Sequence, residues 1–219
     1  MKRCVLFLLA GSVMLLSGSA LSGQDGAEVR AAEALKRSGA QLELDRSVVD
    51  FRYAKVTGEL LENLADLPGL RGVLLREATV RDVDLARLAG LTDLRMLDLS
   101  ETPVTDEGLA HLRKLSRLHT LRLSGTKLSN RATPHLKRSV RLRNLDLART
   151  AITDEGLVPL RELKELELLI LDETRITDAG LEHLKGLTRL RELHLAGTGV
   201  TDAGTKRIQG ALPAAKVIR

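Results

Sequence analysis

The stretch from Leu91 to Lys114 reads L-T-D-L-R-M-L-D-L-S-E-T-P-V-T-D-E-G-L-A-H-L-R-K. Related stretches recur every 24 residues across residues 43–210, with units that begin at Glu43, Leu67, Leu91, Leu115, Ser139, Leu163 and Leu187. A fixed period of about 20 to 29 residues around the core L-x-x-L-x-L is typical of a solenoid, in which each unit stacks on its neighbours. The period therefore predicts a repeat fold for most of the chain.

Positions seven and nine of the unit are apolar in every repeat and alternate with polar or variable positions. Alternation at period two is the pattern of a strand with one buried face. Position fourteen is always Val, Leu or Ile, which predicts a buried turn after the strand. Two further leucines three residues apart, as at Leu109 and Leu112, predict a short helix on the opposite side of the unit.

Three polar columns have predicted structural roles. An aspartate before each helix is expected to be its N-cap, as at Asp106, Asp154, Asp178 and Asp202. Threonine at position twelve, as at Thr102 and Thr150, is expected to connect neighbouring turns through its hydroxyl. Glycine at position eighteen lies inside the helix at a cost of about 1 kcal/mol relative to alanine, which predicts close packing against the adjacent turn.

The units resemble those of bacterial leucine-rich repeat proteins with T-x-I-T-D-x-G-L in each repeat. They are also similar to the GALA-type repeats of plant-pathogen effectors, which have the same length. The resemblance implies an α/β leucine-rich repeat solenoid, with a parallel β-sheet on the concave face and short helices on the convex face. GALA-type proteins pair their repeats with an F-box, and no such segment fits between Leu21 and Glu43, so recruitment of a ubiquitin ligase is not carried over.

Residues 1–20 have the pattern of a secretory signal peptide. A basic start at Lys2 and Arg3 precedes an apolar run that ends at Leu16, and small residues precede an expected cleavage after Ala20. This predicts export to the periplasm or the cell exterior, with an uncleaved N-terminal anchor as the alternative. Cys4 is the only cysteine, so the processed chain would have no thiol for catalysis, disulfides or metal binding.

Both ends of the repeat array carry distinct segments. Residues 21–42 are predicted to form a helical cap, because Asp25 and Glu28 have capping-box spacing and Gly39 follows as a helix stop. Residues 211–219 are predicted to add one partial-repeat strand, with no second domain after it. An exposed strand at Lys216–Arg219 could pair with the same strand of another copy.

The free positions of the predicted sheet define a candidate binding surface for a protein or peptide. Asp98, Arg122 and Asp146 would lie about 4.8 Å apart as a ladder of alternating charge, which is either a self-satisfied ion ladder or a recognition strip between apolar anchors. The candidate residues are Tyr53, Leu74, Arg76, Met96, Asp98, Arg122, Asp146, Leu168, Ile170, Asp172 and His194.

Several function classes are not predicted. The sequence contains no nucleophile elbow, phosphate loop or zinc-protease motif, so no enzyme and no cofactor are expected. His111, His135 and His183 align in separate units without a recurring carboxylate, so no metal site is expected. Nucleic-acid binding is not expected either, because the net charge of +5 is small and the chain has two Phe, one Tyr and no Trp. The alternatives to a binding module are a structural, assembly-forming envelope protein and a secreted effector or adaptor.

The fourth unit departs from the pattern in its second half. Asn130 replaces the aspartate, Ala132 replaces the glycine and Thr133 replaces a leucine. This is either a tolerated irregularity on the convex face, or a local kink or second contact site around Arg131–Arg138.

Overall fold

The computed structural model describes residues 23–38, 40–43 and 48–219, so the predicted signal peptide lies outside the described residues. Within these ranges one sheet contains nine strands in the order of the sequence. They are β1 (Gln41–Glu43), β2 (Val48–Asp50), β3 (Gly72–Leu74), β4 (Met96–Asp98), β5 (Thr120–Arg122), β6 (Asn144–Asp146), β7 (Leu168–Ile170), β8 (Glu192–His194) and β9 (Lys216–Ile218). Strands β2 to β9 are parallel, as predicted, whereas β1 pairs with β2 in the antiparallel sense.

Short helices follow the strands on the other side of the solenoid. The α-helices are α1 (Gly23–Arg37), α2 (Gly58–Glu62), α3 (Asp82–Leu85), α4 (Asp106–His111), α5 (Asp154–Leu157), α6 (Asp178–Leu181) and α7 (Asp202–Ala211). Turns of 3₁₀ helix span Asn63–Asp66, Ala86–Gly90, Leu112–Lys114, Thr133–Arg138, Val158–Glu162 and Glu182–Leu184. In the described part of the chain no helix is both long and apolar enough to cross a membrane.

The predicted apolar columns form one continuous core. Position seven is buried from Val49 to Leu193, and position nine is buried from Phe51 to Leu195. Each strand is paired in register with the next, so that Leu145 lies between Leu121 and Leu169. The core is therefore a stack of aliphatic layers, each shared by adjacent repeats.

At the N-terminal end of the core, α1 packs beside the 3₁₀ turn Asn63–Asp66 and buries Ala31 and Leu35. Strand β1 pairs with the outer edge of β2. Together they cover the first turn of the solenoid, whose apolar end would otherwise contact water. At the other end β9 has a neighbour only on one side among the described strands.

The predicted N-cap role of the aspartates is wrong. The caps are the preceding threonines, such as Thr177 and Thr201, whose hydroxyls accept helix N–H groups. The aspartate instead connects repeats. Asp154 accepts the backbone N–H of Thr177 at 2.8 Å and its hydroxyl at 2.6 Å, one repeat further on. The same pair of bonds joins Asp178 to Thr201 and Asp82 to Thr105.

The predicted threonine ladder at position twelve is also wrong, because these hydroxyls bond within their own repeat. Thr102 donates to the carbonyl of Leu99 at 2.6 Å, and Thr150 donates to that of Leu147 at 2.7 Å. The prediction of close packing at the helix glycines is confirmed. A Cβ on Gly180 would lie 3.0 Å from the carboxyl carbon of Asp154 and 3.2 Å from its Cα. The T-D-x-G motif thus describes one contact between successive repeats.

The fourth unit keeps this contact but changes the helix. Ser129 takes the place of threonine and bonds to Asp106 at 2.8 and 2.5 Å. Asn130 replaces aspartate and makes two bonds to Thr153, at 2.8 and 2.7 Å. No α-helix forms in this described unit, and the 3₁₀ turn Thr133–Arg138 occupies its place. The unit that has alanine at position eighteen, Ala132, therefore forms a 3₁₀ turn where units with glycine form an α-helix.

Candidate functional site

The solvent-facing rows of the sheet have the register that the sequence predicts. Asp98 pairs laterally with Leu74 on one side and with Arg122 on the other. Asp146 lies between Arg122 and Ile170, and His194 follows Ile170. The predicted row of position eight therefore exists as a continuous line across the sheet.

The charged centre of this row is only partly self-satisfied. Arg122 lies 3.5 Å from the carboxylate of Asp98, which also accepts the backbone N–H of Ser100 at 2.9 Å. Asp146 accepts the N–H of Ala148 at 3.0 Å but has no cation within 4.0 Å among the described residues. Arg122 is exposed, whereas Asp98 is buried. The ladder is thus a single ion pair with a second carboxylate beside it.

Burial raises the pKa of Asp146, and the nearby carboxylates of Asp98 and Asp172 add to that effect. The Ala148 N–H and the charge of Arg122 act in the opposite direction and do not compensate. At neutral pH the sheet therefore holds a carboxylate whose charge would be stabilised by an additional donor or cation from a ligand.

Apolar side chains flank the charged centre on both sides. Leu74 and Met96 lie on neighbouring strands towards the N-terminus, and Leu168 and Ile170 lie together on β7. All four are half-buried rather than fully exposed. Their neighbours in the sheet partly cover them, because adjacent strands are only about 4.8 Å apart. They offer two small apolar patches, with the charged centre between them.

The C-terminal patch continues into a polar group around His194. The ring lies 3.3 Å from Glu192 and 3.9 Å from Asp172, and it is half-buried. Asp172 also accepts the N–H of Ala196 at 2.7 Å. A histidine between two carboxylates can donate to either of them, so this end of the sheet presents mainly acceptors.

One edge of the sheet contains a column of left-handed residues that sequence reasoning did not identify. Position eleven has positive φ in every repeat, including five residues other than glycine, namely Tyr53, Glu77, Glu101, Arg149 and Glu173. Each such residue costs about 1–2 kcal/mol. The presence of Gly125 and Gly197 at the same position was the feature of the sequence that could have indicated positive φ there. The turn off the strand requires this conformation.

The left-handed column presents large side chains along the sheet edge. Tyr53 is 69% exposed, the largest value among the exposed large hydrophobic residues that the structure describes. Glu101 and Arg149 form an ion pair above Gly125, two repeats apart. Arg76 is exposed and bonds to Glu77 at 3.3 Å. These side chains extend the candidate surface beyond the sheet.

Metal-ligand chemistry is not concentrated anywhere in the described residues. No group of three or more His, Cys, Asp or Glu side chains there could hold an ion. The aligned histidines His111, His135 and His183 remain in separate repeats.

Comparisons with known proteins agree with this architecture. The family model described as Leucine Rich repeat matches residues 90–112 and 142–160. An internalin (inlF) from Listeria monocytogenes has a TM-score of 0.61 at 24% identity, over 75% of this chain and 50% of its own. Internalin C2 from the same species has a TM-score of 0.68 at 23% identity, over 85% of this chain and 80% of its own. A Leptospira interrogans leucine-rich repeat protein, LIC12759, has a TM-score of 0.59 at 20% identity, over 75% and 40%.

The chain spans about half the length of the first of these internalins. A comparison with curated protein sequences finds no match. At these identities the likeness concerns the fold.

Proposed function

Because the chain is a leucine-rich repeat solenoid of the kind found in bacterial proteins, we propose that it is an exported module that binds a protein or peptide through its concave sheet. The binding surface consists of the row Asp98, Arg122 and Asp146, with the apolar patches on either side. Tyr53, Arg76, Asp172 and His194 lie at its margins. The chain acts by recognition rather than by catalysis.

The observation that carries this proposal is the composition of the solvent-facing strand positions. A sheet that only had to remain soluble would place small or charged residues there. Instead β7 places both Leu168 and Ile170 on that side, next to a carboxylate that lacks a cation among the described residues. Apolar anchors beside unsatisfied charge are typical of a surface that a partner completes.

The size of the sheet limits the affinity. Eight parallel strands about 4.8 Å apart, each exposing about 10–16 Å of its length, offer roughly 350–600 Å². A standard stable interface uses about 800 Å² on each partner. We therefore expect modest affinity from the sheet alone, with the left-handed edge contributing where binding is tighter.

The test uses the purified chain as bait against envelope and secreted proteins of its own source. Ile170→Asp places a charge in the C-terminal apolar patch and is expected to abolish capture while the circular dichroism spectrum stays unchanged. Val83→Asp is the matched control, because Val83 is 64% exposed at α3 on the helical side. Capture that survives Ile170→Asp but not Val83→Asp would place the binding surface on the helices instead.

A structural, assembly-forming role is the second candidate, and the open edge of β9 favours it. The backbone groups on the outer side of Lys216–Ile218 have no strand partner among the described residues. Unpaired strand edges can pair with a second copy. Val217→Pro removes one N–H from this strand. If the protein assembles through the edge, this variant is expected to be monomeric in sedimentation where the wild type is not.

A further inference from the structure

Charge is not evenly distributed along this chain. Between Gly108 and Leu145 there are ten Lys and Arg residues and no Asp or Glu, although the whole chain has a net charge of +5. The remaining residues therefore carry a net charge of −5. The small net charge of the whole chain therefore gives no indication of this basic stretch, which includes the irregular fourth unit.

The densest part of the stretch lies where the helical side returns towards the sheet. The 3₁₀ turns Leu112–Lys114 and Thr133–Arg138 pack side by side, and both end in basic residues. We call this surface the basic flank, defined by Arg113, Lys114, Lys137, Arg138 and Arg141. All of its residues are exposed, and none has a carboxylate within 4.0 Å in the described part of the chain.

The same side of other repeats is neutralised locally. Arg161 pairs with Glu162 at 3.2 Å, and Lys185 pairs with Glu182 at 2.6 Å. Arg87 pairs with Glu62 across repeats. Five basic residues without such partners repel one another at short range, which is unfavourable for the isolated chain. Their accumulation over little more than one repeat interval is therefore not explained by folding.

A cavity of about 510 Å³ adjoins the basic flank. The residues that line it include four basic or imidazole groups and two carboxylates, namely His119, Arg141, Arg143, Lys164, Glu162 and Glu165. Burial lowers the pKa of His119, and the charges of Arg143, Arg95 and Arg141 lower it further. The two glutamates already pair with Arg161 and Arg189, and Arg143 lies 3.9 Å from Glu167. Arg141 and Lys164 are the lining cations without a carboxylate within 4.0 Å in the described part of the chain.

We propose that the basic flank and its cavity bind a linear anionic polysaccharide, whose sulfate or phosphate ester groups pair with the guanidinium and ammonium groups. Arginine matches such groups bidentately, and lysine supplies a mobile point charge. This site is separate from the concave sheet and does not depend on the function proposed for it.

The width of the basic flank selects this ligand. It covers little more than one repeat interval, because the equivalent repeat positions carry Asp93 before it and Glu162 and Glu165 after it. A membrane plane or a DNA duplex would be wide enough to meet those carboxylates, whereas a single sugar chain would not. The flank contains no aromatic residue, so it lacks the stacking surfaces that single-stranded nucleic acids use. Val140 is its only exposed large apolar neighbour among the described residues, which is too little for a protein hot spot.

The test measures binding of a heparin oligosaccharide to the purified chain by calorimetry over a range of salt concentrations. The flank variant carries Lys137→Gln, Arg138→Gln and Arg141→Gln. The control variant carries Lys206→Gln, Arg175→Gln and Arg30→Gln, three exposed basic residues elsewhere, and has the same net charge. Each ionic contact releases a counterion, so the flank variant is expected to bind at least about tenfold more weakly. The magnitude of its slope of log K against log salt concentration should be smaller by about two to three. The control is expected to stay within about twofold of the wild type.

Equal losses in the two variants would overturn the proposal, because they would indicate a general response to net charge. Tighter binding of duplex DNA or of anionic phosphatidylglycerol vesicles than of heparin would also overturn it, by assigning the flank to another class of ligand. A second readout is the imidazole NMR signal of His119. Heparin should raise the pKa of His119 in the wild type, and an unchanged pKa at saturation would contradict the proposed place of binding. Ile170→Asp should leave heparin binding intact even if it abolishes partner capture, which separates the two surfaces.

Discussion

Gly180→Ala tests whether the T-D-x-G motif acts between repeats or within the helix. Considered within α6 alone, alanine should stabilise the helix by about 1 kcal/mol, because glycine is a poor helix former. The structure predicts the opposite sign. A Cβ on Gly180 would lie 3.0 Å from the carboxyl carbon of Asp154 and 3.2 Å from its Cα. The backbone atom cannot move away without shifting the preceding repeat.

The magnitude follows from what the clash displaces. Asp154 holds two hydrogen bonds to Thr177, at 2.8 and 2.6 Å, and a displaced carboxylate would lose one or both. Hydrogen bonds to charged groups contribute about 1.5–3 kcal/mol each, and less where solvent reaches them. After the gain in helix propensity we expect a net loss of about 1–3 kcal/mol in the free energy of unfolding. Ala132 suggests how the protein would adapt, because its repeat forms a 3₁₀ turn instead of an α-helix.

The assay is urea unfolding followed by circular dichroism, with Gly210→Ala as the control. Gly210 is also in a helix, α7, but a Cβ there has no neighbour within 4 Å. The control should therefore gain stability, or at least lose none. The double variant Asp154→Ala with Gly180→Ala should cost less than the sum of the two single changes, because the carboxyl group that the new Cβ approaches is then absent. A stabilised Gly180→Ala protein, or strict additivity, would refute the inter-repeat contact.

Three further outcomes can be measured in the same way. Leu145 is 1% exposed, and Leu145→Ala should lower the free energy of unfolding by about 2–5 kcal/mol because it leaves a cavity in the core. Val140 is 51% exposed, and Val140→Ala should lower it by less than about 0.5 kcal/mol. Similar losses in the two variants would contradict the burial of position seven in the core. The backbone N–H and hydroxyl of Thr201 lower the pKa of Asp178 in the folded protein. Ionised Asp178 therefore stabilises the fold at pH values above the pKa of about 3.9 that it has in the unfolded chain. This stabilisation is lost as the pH falls through the lowered pKa of the folded state. Asp178→Asn should therefore lower stability at pH 7 and matter less below about pH 4, and Asn130 indicates that an amide fits this position. Burial raises the pKa of Asp146, so its ionised form destabilises the fold at neutral pH, and Asp146→Asn should raise the midpoint of urea unfolding at pH 7; a decrease would mean that the attraction of Arg122 outweighs burial.

The proposed binding surface could be predicted only in part from the sequence. Strand register placed Asp98, Arg122 and Asp146 in one row, because a fixed repeat length leaves no freedom in the pairing. The sequence did not reveal that Arg122 approaches Asp98 and leaves Asp146 without a cation in the described part of the chain. That choice depends on side-chain rotamers and burial. The left-handed backbone at Glu101 and Arg149 was equally hidden, since neither residue type indicates positive φ.

The period, the parallel order of the strands and the aliphatic columns of the core could all be predicted from the sequence. These features are predictable because every repeat has the same length, so equivalent residues of successive repeats must lie side by side. Burial of leucine is also non-directional, so it needs no particular partner. The hydrogen-bond partners, in contrast, depend on how the repeats stack on one another. Asp154 and Thr177 are 23 residues apart, and a local interpretation assigned the aspartate to its own helix as an N-cap. Stacking of the repeats places Thr177 within hydrogen-bond distance of Asp154 and packs the Asp154 carboxylate against Gly180. The partner of the aspartate is therefore set by the distance between repeats and not by proximity in sequence.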